Sequence, residues 1–220
     1  GDYPSLQQEF PIKTPDDLET FLSVPYVPPE PDLSSFAKYD EKIGSDGVIF
    51  IPINDPVMNA NLLLGSELMA IWSVERREYL VGLVRLFEER ILDFIRYLIS
   101  GGVKGVFAFI GAEYCGPPLQ SPDDFREFVT EPMTKIAQLV HDSGSLVHVH
   151  CHGPMDEILE DMAEMGADCV HPLEAPPLGD TPLADAKKRI GDRVCLHGNI
   201  QVGDLFAETP QVIRHLVKQA

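Results

Sequence analysis

From Gly47 onward the chain alternates between two kinds of segment: a short β-branched run ending in small or polar residues, then a longer stretch with apolar residues at helical spacing. The runs fall at 47–52, 105–110, 146–150, 168–172 and 193–197 and predict strands. The stretches at 74–99, 123–141, 155–165, 183–190 and 211–218 predict helices. Such alternation calls for parallel strands joined by right-handed helical crossovers. The runs are apolar on both faces near their starts, as a sheet covered on both sides requires. The longest helical stretch is the clearest. Leu80, Leu83, Val84, Phe87, Ile91, Phe94, Ile95 and Leu98 recur at steps of three and four, which makes one apolar stripe.

Helix punctuation agrees. Thr14-Pro15, Ser121-Pro122, Thr181-Pro182 and Thr209-Pro210 each set a capping hydroxyl before a proline suited to the first turn. Asp16, Asp17, Asp123 and Asp124 place negative charge where the helix dipole favours it. Gly101, Gly144, Gly166 and Gly191 fall where helices should stop.

Two architectures satisfy this pattern, an open doubly wound sheet or a closed barrel. No Gly-x-Gly-x-x-Gly or Walker-type loop follows any strand, which disfavours the nucleotide-binding open sheet. A (β/α)8 barrel of TIM type needs eight strands and about 250 residues. The 220 residues hold five strand runs, so the expectation is an incomplete barrel with strands adjacent in chain order. Residues 46–220 form this partial barrel. Residues 1–45 read as a separate lid-like segment, with short helices near 16–22 and 32–43 flanking a proline-dense stretch. Five strands of a barrel leave two edges, carrying Val48 and Phe50 on one side and Val194 and Leu196 on the other. Bare parallel edges invite association. The chain is therefore expected to be a piece of a longer protein. Its edges should pair with another copy or be covered by the N-terminal segment.

Composition narrows the function. The formal net charge is −18, which disfavours nucleic acid and anionic membrane surfaces as partners. No run approaches the roughly 20 apolar residues of a membrane span, and Gly1-Asp2-Tyr3-Pro4 does not begin a signal peptide. Four cysteines in a chain of this length are not a disulfide framework, so a reducing cytoplasm is expected.

Barrels and open α/β sheets build their sites at the carboxyl ends of the strands. There the sequence places Asn54 and Asp55, then Glu113, Tyr114 and Cys115, then His148 to Gly153, then His171 to Glu174, then His197, Gly198 and Asn199. Strand side chains alternate faces, so His148, His150 and His152 share one face and Val147, Val149 and Cys151 the other. The valines suit a helix layer, so the histidines should point into the barrel. Such imidazoles are metal ligands of zinc's class or hydrogen-bonded barrel filler. Candidate further ligands are Glu113, Glu174 and a cysteine. Glu174 lies in a proline-rich loop and suits a ligand, a general base or a backbone cap; Glu113 lies in a glycine-flanked loop. Asn54, Asp55, Tyr114, His197 and Asn199 are candidate contacts to a small-molecule substrate. His141 and His215 fall on helices and read as solvated.

His150-Cys151-His152-Gly153, Gly166-Ala167-Asp168, Gly191-Asp192-Arg193 and Gly198-Asn199-Ile200 together resemble the uroporphyrinogen decarboxylase superfamily. The resemblance runs from about residue 47 to the end. It corresponds to the third to seventh strands of a (β/α)8 barrel. It implies either decarboxylation of uroporphyrinogen or a related substrate in porphyrin biosynthesis, or zinc-assisted methyl transfer from a corrinoid, held by a corrinoid protein, to a thiol. A non-catalytic barrel fragment is the third possibility. The decarboxylase's arginine motif and aspartate belong to the first two strands, and its tyrosine falls near Leu62. The methyltransferase branch carries a His-x-Cys zinc motif; the corresponding pair here is His150 and His152, histidine standing for cysteine. The resemblance thus favours the methyltransferase side, with Glu113 or Glu174 as a further ligand or base.

Overall fold

The computed structural model describes residue 7 and residues 9–219; the Gly1-Asp2-Tyr3-Pro4 start lies outside them. Five strands form one sheet in the order β1 to β5, each parallel to the next. They are β1 (Phe50–Asn54), β2 (Val106–Ile110), β3 (Leu146–Cys151), β4 (Cys169–Pro172) and β5 (Cys195–Leu196). Helices fill the crossovers, so this is an α/β barrel type left incomplete and open at β1 and β5. β5 is only two residues long, shorter than the expected 193–197, yet its ladder continues: Cys195 N–H donates to the Asp168 carbonyl (2.8 Å) and His197 N–H to that of Val170 (2.9 Å).

Register divides the sheet into two unlike faces. Phe107, Phe109, Val147, Val149 and Val170 all point to the helix layer and are buried. In the opposite phase stand Phe50, Ala108, His148, His150, Cys169, His171 and Cys195. This second face would be a barrel's interior. Phe50 and Leu146 on it are 49% and 51% exposed.

The helix layer departs from the sequence reading in four places. First, α3 (Pro56–Glu75) was not expected. Asp55 caps it and Pro56 opens it, as their chemistry allows. Its residues are apolar nearly all round, and Gly65 (φ 74°) breaks its helical geometry, so no amphipathic stripe announces it. It is also long and apolar enough to cross a membrane, contrary to the expectation that no run comes near; here it packs on α4 (Arg77–Ser100). Second, the helix expected at 74–99 begins only at Arg77, because Arg76 is non-helical. Third, the helix expected at 123–141 is α5 (Pro122–Phe125) and α6 (Glu131–Asp142), joined by a π turn at Arg126–Thr130. Pro132 offers no N–H to the preceding turn, which accounts for the widening. Fourth, Thr181 caps nothing: α8 (Leu183–Arg189) begins without a side-chain cap, and the buried Thr181 hydroxyl donates to Asp180 instead. Ser121 and Thr14 do make full capping boxes, with Asp124 and Asp17. α7 (Leu159–Glu164) follows a 3-10 turn; α9 (Val202–Ala207) and α10 (Pro210–Gln219) close the chain.

The N-terminal helices are α1 (Pro15–Ser23) and α2 (Ser34–Ile43). Phe21 packs on Phe87 of α4, and the Tyr97 hydroxyl donates to the Pro31 carbonyl (2.9 Å). The stretch between the two helices reaches the carboxyl end of β1, where Tyr26 and Pro29 line a cavity with Pro52, Ile53 and Asn54.

Candidate metal centre at the strand ends

The strand alternation brings five histidines onto the open face in two layers. In the upper layer, His150 Nδ1 and His171 Nδ1 are 2.9 Å apart. A bond between two Nδ1 atoms needs one donor and one acceptor, so the pair shares a single proton. If His150 donates, its Nε2 carries a free lone pair, the arrangement that prepares an imidazole for a metal. The His152 ring stands 4.5 Å from that of His150, centroid to centroid. His152 Nδ1 lies 3.2 Å from Glu174 Oε2, and the same oxygen accepts from Gly153 N–H (2.8 Å). Burial, with the neighbouring His197 and His150 adding to it, depresses the pKa of His171 to about 4. Burial and the nearby His152 lower that of His150. Both rings are therefore neutral at neutral pH, the state in which imidazole binds a cation.

The loop bearing Glu174 is tied down from its far side. Asp180 Oδ1 accepts from Met155 N–H (2.8 Å) and Asp156 N–H (3.0 Å), which locks the turn after β3 to the loop after β4. At the base of that loop Gly198 (φ 147°) lies against the Pro172 carbonyl, where no Cβ would fit.

Glu113 sits on a 3-10 turn, Ala112–Cys115, after β2. Its Oε2 is buried without a hydrogen-bond partner among the described residues. Burial raises its pKa, the Glu174 charge adds to the rise, and His152 opposes it. Asp55 is buried, accepts from Met58 N–H (2.6 Å) as the cap of α3, and is pushed up to about 8 by burial and then by the Glu113 charge.

The other sequence candidates are dispersed. His148 does not join His150 and His152; it lies deeper, beside Cys169 and His197. Asn54 lines a cavity of about 430 Å³ with Tyr26, Asn59 and Arg90. Asn199 lines another, of about 350 Å³, with Ala175, Gln201 and Leu216. Tyr114 is half-buried against the core. His141, expected to be solvated, bonds Asp168 (2.9 Å), which also accepts from Val147 N–H (2.7 Å). His171, Cys169 and Asp180 were missed as contributors. The first two stand two residues apart on one strand, in the phase of the β3 histidines, and that spacing was the available signal.

Arg77 pairs with Asp124 and Glu127, Arg126 with Asp123 and Asp161, and Arg189 with Asp156 and Glu160, all within the helix layer. Arg90 stacks on Tyr26, 4.1 Å from its ring centroid.

Parallel strands with polar groups gathered at their carboxyl ends define a barrel-type α/β scaffold. Residues 54–220 match the uroporphyrinogen decarboxylase (URO-D) family, and the chain belongs to it. It is 29% identical over 160 residues to the methylcobamide:CoM methyltransferase MtaA of Methanosarcina barkeri, covering 73% of this chain and 44% of that protein. It is 32% identical over 132 residues to a uroporphyrinogen decarboxylase of Psychromonas ingrahamii, covering 59% of this chain and 34% of that one. A solved methyltransferase from Methanosarcina mazei superposes with a TM-score of 0.69 at 26% identity, over 86% of this chain and 53% of its own. The chain thus spans less than half the length of these curated relatives.

Proposed function

We propose that the chain carries the metal-binding part of a barrel that performs zinc-assisted methyl transfer from a corrinoid to a small-molecule thiol. The observation that carries this reading is the cluster of His150, His152 and Glu174 at the strand ends, with the half-buried Glu113 beside it. Two imidazoles and a carboxylate suit zinc, though they are harder than a donor set containing thiolate. The orphaned Glu113 Oε2 is the kind of atom that a bound group would satisfy.

Zinc, when held by His150, His152 and Glu174, supplies a positive charge that favours thiolate over thiol. The protein's own groups do the rest. His171 fixes the tautomer of His150 through the Nδ1 pair. Gly153 N–H holds Glu174 in place. Glu113 Oε2 accepts the thiol proton, burial having raised its affinity for one. A methylcorrinoid, when bound, would supply the methyl group to that sulfur, its cobalt–carbon bond giving way with the electron pair kept on cobalt.

The test is incubation with methylcobalamin and a simple thiol, following loss of the methylcobalamin absorbance. The expected result is zinc-dependent turnover, reduced at least about 100-fold in Glu113→Gln. Carbon dioxide release from uroporphyrinogen without methyl transfer would overturn the proposal.

A further inference from the structure

Below the upper layer, the open face holds a second group of donors that the methyl-transfer reading does not use. His148 on β3, Cys169 on β4 and His197 after β5 each offer a ligand atom, and these atoms all lie within 4.8 Å of one another. The register explains the meeting: His148 pairs with Cys169, and Cys169 with Cys195, across three adjacent parallel strands. His197 lies two residues beyond Cys195, in the same phase.

Packing sets these donors apart from an ordinary surface cluster. His148 is only 6% exposed, and its Nδ1 is buried with no hydrogen-bond partner among the described residues. A buried polar atom left unpaired is costly, and in native proteins it usually has a partner. Phe50 covers one side of the ring edge-on, with centroids 5.2 Å apart, and the His197 ring meets it from another at 6.1 Å. Phe50 offers His148 no acceptor. The polar atoms facing it are the ones a cation would draw together.

We propose that His148, Cys169 and His197 form a second cation site, one layer below the strand ends, for a thiophilic divalent ion of zinc's class. Two imidazoles and a thiol are the donors that such ions select over magnesium or calcium. A tetrahedral zinc with bonds of about 2.0–2.3 Å sets its donors roughly 3.3–3.8 Å apart. The trio therefore needs to contract by about 1 Å, within reach of side-chain rotation at the exposed His197. A water completes four-coordination. The ion displaces the Cys169 thiol proton to solvent on binding.

The site differs from the upper one in holding sulfur, and the test uses that difference. Cobalt(II), titrated into the purified 220-residue protein, reports a bound thiolate by its sulfur-to-metal charge-transfer band in the near ultraviolet. The proposal expects that band in the parent protein, its loss in Cys169→Ser and in His197→Ala, and its retention in the double variant His150→Ala/His152→Ala. His197 is exposed, so its variant folds even if the buried positions tolerate change poorly. Absence of the band, its survival in either single variant, or its loss with the upper-layer double variant overturns the assignment. None of these outcomes depends on methyl transfer.

Discussion

The two faces of the sheet are built from the same five strands and differ in almost every physical respect. The helix-side face is Phe107, Phe109, Val147, Val149 and Val170, all nearly inaccessible to water. The open face carries His148, His150, Cys169, His171 and Cys195 and leaves Phe50 half-exposed. Stability lives on the first and chemistry on the second. One alternating sequence specifies both, because adjacent residues point to opposite sides.

The sharpest way to break this comparison is to truncate one aromatic on each face. Phe107→Ala is expected to cost about 3–5 kcal/mol in urea unfolding, since Phe107 is wholly buried. Phe50→Ala is expected to cost less than about 1 kcal/mol, since half its surface already meets water. Equal losses would show that the open face is as structural as the other.

Asp55 tests the boundary between the two roles, because it caps a helix and sits beside Glu113. Its carboxyl releases a proton near pH 4 when unfolded and near 8 when folded. Between those values the folded state binds the extra proton. Stability therefore falls as pH rises, by up to about 1.4 kcal/mol per pH unit. Asp55→Asn keeps a capping side chain and should flatten that slope between pH 5 and 7. An unchanged slope in chemical denaturation would mean that Asp55 is ionised in the fold.

A smaller effect is expected at the helix-layer caps. Ser121→Ala removes half of a capping box and should cost about 1 kcal/mol. Thr181 caps no helix, so Thr181→Val, which keeps its shape, should cost less in the same unfolding measurement.

The strands were legible because each is a compact apolar run between glycines and polar residues, and their order follows from crossover handedness. α3 was not legible, since an apolar helix capped by Asp55 and broken at Gly65 lacks a periodic signature. The phase of His148, His150 and His152 was readable from alternation alone. Their separation into two layers was not, because it depends on which neighbours β4 and β5 bring alongside. His171 and Cys169 take part through register, and register is a property of strand pairing that no local motif contains.

Zinc content tests the upper-layer centre most directly when read in a Cys169→Ser background, where the deeper donors are disabled. Protein purified without a histidine tag is analysed for bound metal, with and without His150→Ala/His152→Ala. The account predicts stoichiometric zinc in the Cys169→Ser protein and its loss when both histidines are removed, with folded stability changed by less than about 1 kcal/mol. Zinc absent from the Cys169→Ser protein, or retained after both histidines are gone, would contradict it.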